Sequence, residues 1–71
     1  DQRLARLLLS LAGEDGAVHA THEELAGLAG VPRVTVSRLL SRMGKERLVE
    51  SGYGFLRICD RRALALFAGE E

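Results

Sequence analysis

Between positions 33 and 45 the chain reads RVTVSRLLSRMGK, a stretch in which arginines and hydroxyl side chains alternate with aliphatic ones. Arg33 and Arg38 carry guanidinium forks, which bond best to paired acceptors held in a plane, such as phosphate oxygens or the O6 and N7 edge of guanine. Thr35, Ser37 and Ser41 bring hydroxyls that both donate and accept. Arg42 and Lys45 add charge suited to neutralising phosphates, and Val34 offers the kind of aliphatic surface that meets a thymine methyl. On a helix, with about 100° between residues, Val36, Leu39, Leu40 and Met43 fall on one stripe. Val34, Arg38, Ser41, Arg42 and Lys45 collect opposite it, with Arg33, Thr35 and Ser37 on the flanks. Other chemistries lack their parts. Ser37 has no base placed to activate it, His19 and His22 have no third ligand, and neither a phosphate-cradling glycine loop nor a carboxylate pair is present. No catalytic residue, no metal site and no cofactor of this domain is expected.

The 71 residues carry ten basic and ten acidic side chains, so the formal net charge is zero. Zero charge by itself argues against a nucleic-acid partner. The distribution argues the other way: residues 32 to 47 hold five basic side chains against Glu46, which leaves the rest of the chain acidic. The length suits one small domain. A single cysteine, Cys59, excludes an internal disulfide and fits a reducing compartment, hence a cytoplasmic protein. At the end of an apolar run it is expected to be a buried small hydrophobe. The longest aliphatic run, Leu7 to Leu9, is far too short to span a membrane. A chain that opens on Asp1 is expected to be a piece of a larger protein.

The elements that must hold the 33–45 face can be read on either side of it. Leu4, Leu7, Leu8 and Leu11 recur at helical spacing, so a helix is expected over about 2–12, capped by Asp1 and ended by Gly13. A short strand is expected over 17–20. Thr21 and Glu24 form a capping box for a helix over 22–29, with His22 in an exposed first-turn position, and Gly30 supplies the sharp turn that follows. Pro32 fits the first turn of the next helix, over 32–45, with Gly44 near its end. Two β-rich runs around Ser-Gly-Tyr-Gly make a hairpin over 48–59, and Asp60 caps a last helix over 61–68 that Gly69 stops. Arg61 and Arg62 stand at its start, against the helix macrodipole. Ala26, Gly30 and Val36 have the small, turning and apolar character that two crossing helices need. The fold class expected is mainly α with a small three-stranded sheet, a winged helix-turn-helix.

The stretch THEELAGLAGVPRVTVSRLLSRMGKERLVE, followed by GFLRICD, resembles the C-terminal DNA-binding domain of the CRP/FNR family of bacterial transcription regulators, over about residues 13 to 68. The resemblance implies that the 32–45 helix reads double-stranded DNA. It further implies that Arg33 and Arg38 contact bases, that Ser37 does so as in some members, and that Thr35 and Thr21 meet phosphates. Val34 stands where the family commonly has glutamate, so the family's usual half-site is not expected. By resemblance the parent protein is a homodimer on a palindromic operator, with an effector-sensing β-roll and a dimerisation helix upstream and RNA polymerase as a candidate partner. Ser41, Arg42 and Lys45 join the expected phosphate contacts, and Tyr53 and Arg57 are the candidates on the wing. Two alternatives stay open: a winged helix of another regulator family, and a winged helix that docks a protein.

Overall fold

The computed structural model describes residues 2–52 and 54–69. Four helices, α1 (Gln2–Leu11), α2 (His22–Ala29), α3 (Arg33–Lys45) and α4 (Arg61–Phe67), surround three short strands, β1 (Ala17–Val18), β2 (Val49–Gly52) and β3 (Phe55–Ile58). The strands form an antiparallel sheet in the order β1-β3-β2. The expected cap at Asp1 and the wing candidate Tyr53 lie outside the described residues.

In α1 the buried stripe is Leu4, Ala5 and Leu8, with Leu7 packed at its edge and Leu11 turned outward. The predicted stripe is therefore rotated toward Ala5, on a helix that packs against both α4 and α2. Arg6 Nε donates to the Ala68 carbonyl at 3.1 Å, which ties α1 to the end of α4. Beyond α1, Gly13 N donates to the Ala17 carbonyl and Ile58 N to the Gly16 carbonyl, so the GEDG loop delivers the chain to the sheet edge. β1 is two residues rather than four: after Val18 the chain leaves the ladder for the Thr21 cap.

The helix-turn-helix is built as its residue types require. Thr21 Oγ1 accepts from Glu24 N and Glu24 Oε1 accepts from Thr21 N, closing the capping box. Gly30 ends α2 with φ 71°, a left-handed angle that costs an L side chain roughly 1–2 kcal/mol. Pro32 sits one residue earlier than predicted, as an extended cap with its carbonyl accepting from Thr35 N and Val36 N. Ala26 and Ala29 let α3 approach, and Val36, Leu40 and Met43 fill the space between. Gly44 lies near the end of α3, one residue before its last, as expected. The left-handed residue is Arg47, at φ 61°, with its N–H on the Gly44 carbonyl and Leu48 N on the Met43 carbonyl. That pairing is the closing motif usually made by glycine.

In the hairpin Gly52 pairs with Phe55, so Ser51 and Gly52 belong to the ladder and not to the turn. Alternation sends Val49, Leu56 and Ile58 inward. Cys59 is exposed, contrary to expectation, because it lies past the last inward position of β3; its amide still donates to the Leu48 carbonyl. Asp60 Oδ1 caps α4 through Ala63 N. Arg61, whose place at a helix start looked unfavourable, finds the Gly13 carbonyl at 2.8 Å. Leu64 and Ala68 complete the core.

Arg47→Gly relieves the left-handed strain at the end of α3 and is expected to stabilise the fold by about 1 kcal/mol. Thermal denaturation of a domain this size should register that as a rise in Tm of about 4–8 °C.

Candidate nucleic-acid interface

The inner face of α3 is clamped: Val36 and Met43 are fully buried and Leu40 nearly so. Clamping one face commits the other. Arg33, Val34, Arg38, Ser41, Arg42 and Lys45 are exposed, and Thr35 and Ser37 are half-buried on the flanks. Val34 is 75% exposed, which leaves its aliphatic surface available on the outward face of α3. The face is about as wide as an α-helix presents to the major groove, and its rim is basic. At the start of α3 the intrahelical ladder begins only with Thr35 N, so the N–H groups of Arg33 and Val34 precede it and face outward as donors.

A groove of about 530 Å³ runs beside that helix start. Thr21, His22 and Glu23 of the α2 turn, Arg33, and Gly52, Gly54 and Phe55 of the wing line it. Thr21 uses its oxygen as acceptor within the capping box, which leaves its hydroxyl hydrogen free to donate into the groove. Glycine at 52 gives the Phe55 ring room to lie over the strand, and a Cβ there would make the ring shift. Phe55 in turn makes a tilted contact with the His19 ring, centroids 6.2 Å apart, so the wing is braced from β1's side.

Two predicted contacts are placed differently from the rest. Arg57 lies on the outer face of the sheet, opposite Glu50 in the ladder, and outside the groove. Arg42 forms an exposed pair with Glu46, Nε to Oε2 3.4 Å, of the i,i+4 kind that contributes only a few tenths of a kcal/mol. Its charge is partly offset before any partner arrives.

His22 is the residue that spacing did not reveal. It was expected to be exposed, yet it is half-buried and its Nδ1 lies 3.0 Å from Ser37 Oγ on α3. Fifteen residues separate the two, and only the crossing of α2 over α3 brings them together. Among the described residues no group of three or more His, Cys, Asp or Glu side chains is arranged to hold a metal.

Capped helix, glycine turn, outward-facing second helix and flanking hairpin together define a winged helix-turn-helix. The model of the Crp-like helix-turn-helix domain matches residues 2–67, and the chain belongs to that family. It is a DNA-binding domain of the CRP/FNR type. The transcriptional regulator SdrP of Thermus thermophilus is 36% identical over 70 residues, which cover 87% of this chain and 35% of that protein. Among solved structures, the Thermus thermophilus catabolite activator protein is 36% identical with a TM-score of 0.88, covering 96% of this chain and 33% of that one. Another CRP/FNR-family regulator from Thermus thermophilus is 32% identical with a TM-score of 0.87, covering 97% and 40% respectively. The chain thus spans about a third of the length of the curated relative it matches.

Thr21→Asp separates capping from contact. Aspartate caps as well as threonine, so stability should hold to within about 0.5 kcal/mol. It has no hydrogen to donate and carries the wrong charge, so affinity for duplex DNA should fall roughly tenfold. Paired thermal melts and binding titrations check both halves.

Proposed function

We propose that this domain binds double-stranded DNA sequence-specifically, with α3 in the major groove, as the output module of a larger bacterial regulator. The observation that carries the reading is the outward face of α3, where Arg33, Val34 and Arg38 stand exposed on a helix held from behind by fully buried Val36 and Met43. Arg33 and Arg38 serve as the guanine readers, Ser37 as a single-bond reader, and Val34 as the aliphatic contact to a thymine methyl. Thr21, Thr35, Ser41 and Lys45 contact phosphates on either side, with Arg42 joining once it leaves Glu46. On the wing, Tyr53 and Arg57 remain the polar candidates, and a sugar–phosphate strand is proposed to pass the groove lined by Thr21, His22 and Arg33.

Valine at 34 supports a target different from that of family members with glutamate there, because valine cannot accept from cytosine N4. The module is non-catalytic and needs no cofactor of its own. In its parent it acts as a homodimer on a palindromic operator, in the cytoplasm, with RNA polymerase as a further partner and the effector bound elsewhere. A single copy binds weakly, because one module covers limited surface and zero net charge gives no long-range attraction.

Arg38→Ala and Lys45→Ala should fail in different ways. The first is expected to cost about 1–3 kcal/mol and to relax base preference at one position of the half-site. The second should weaken every sequence alike and lower the salt slope of log affinity by about 1. Titrations against single-position duplex variants at several salt concentrations distinguish them. A salt-insensitive interaction would point to a protein partner.

A further inference from the structure

Among the described residues, Ser37 is the one candidate base reader whose side chain is already engaged in the free protein. Its Oγ lies 3.0 Å from His22 Nδ1. Neither side chain has another hydrogen-bond partner among the described residues, and His22 also lines the groove beside Thr21 and Arg33. A hydroxyl can present either a hydrogen or lone pairs to a base edge, and which it presents is decided by the bond it makes elsewhere. An imidazole nitrogen without hydrogen takes the hydroxyl's proton donation and leaves the oxygen as acceptor. One that carries hydrogen does the reverse.

We propose that His22 is a positioning residue that sets the hydrogen-bond direction of Ser37, and so decides which base edge Ser37 reads. The inference rests on the DNA-reading function above. A phosphate seated in the groove takes a hydrogen bond from His22 Nε2. In the tautomer that carries its hydrogen on Nε2, Nδ1 is left as acceptor. Ser37 then donates to Nδ1 and turns its lone pairs to the major groove, where they accept from an exocyclic amine, adenine N6 or cytosine N4. Guanine and thymine edges, which present O6, N7 or O4 acceptors at that point, are disfavoured. The relay from phosphate to histidine to serine to base makes a sequence-neutral contact the condition for a sequence-specific one.

The test uses the chain itself against duplexes in which each base pair of a bound site is varied in turn, with Ser37→Ala, His22→Phe, His22→Asn and Arg38→Ala compared with the parent and thermal melts confirming that each folds. Ser37→Ala and His22→Phe should relax the same base pair, by roughly two- to tenfold, as expected for one hydrogen bond. The double variant should lose no more than either single change. His22→Asn, whose side-chain oxygen falls where Nδ1 does, should restore the preference. In the complex, imidazole ¹⁵N spectra should show Nδ1 without hydrogen. A uniform loss of affinity in His22→Phe with the Ser37 base pair still discriminated would overturn the relay, as would a proton on Nδ1 in the complex or a preference for guanine or thymine at that point. Arg38→Ala keeps the two failures apart. If it relaxes its own base pair while His22→Phe does not relax that of Ser37, only the relay falls. If neither Arg38→Ala nor Ser37→Ala relaxes any base pair, groove reading itself falls, and the relay with it.

Discussion

The crossing of α2 over α3 is the constraint on which the rest of the molecule depends. It exists because Ala26 is small enough to let α3 come close, Gly30 adopts an angle that side chains resist, and Val36 fills the contact. Those three residues aim α3, and they also set His22 against Ser37, so recognition and its support come from one packing event. The sheet, α1 and α4 enclose the same core from the other side. A 71-residue domain has little surplus stability, and here it is spent on holding one helix at one angle.

Electrostatics follow the same plan. The basic side chains gathered over residues 32–47 are balanced by acidic ones elsewhere, including Glu23 and Glu24 at the start of α2. Acid at a helix start offsets the exposed N–H groups there, so these carboxylates stabilise α2 while moderating its pull on phosphate. Neutral overall charge keeps non-specific attraction low. In the proposed reading, discrimination rests on the few exposed groups of α3, and weak single-copy binding is the natural partner of that arrangement.

Much of this was legible in the residues because it is local. The capping box at Thr21, the turn at Gly30, the two faces of α3 and the cap at Asp60 each depend on a few neighbours in sequence, and each is where spacing places it. What was not legible depends on elements far apart in the chain. The α1 stripe is turned toward Ala5 on a helix packed against α4 and α2, Cys59 faces outward because β3 ends at Ile58, and Arg61 found a carbonyl 48 residues away. Periodicity names the faces of a helix, and only the tertiary arrangement says what each face meets. His22 shows this most plainly: a first-turn residue in sequence, it is joined to the recognition surface by the helix crossing.

The two arginine bonds at the back of the molecule run in opposite senses. Arg6 on α1 holds the carbonyl that ends α4, and Arg61 at the head of α4 holds the carbonyl just beyond α1. With Leu4, Leu8 and Leu64 packed between them, neither helix can slide or roll without surrendering a charge-assisted bond. Both ends of α4 are thereby moored to α1 and its exit, so the two helices share one fixed seat on the core.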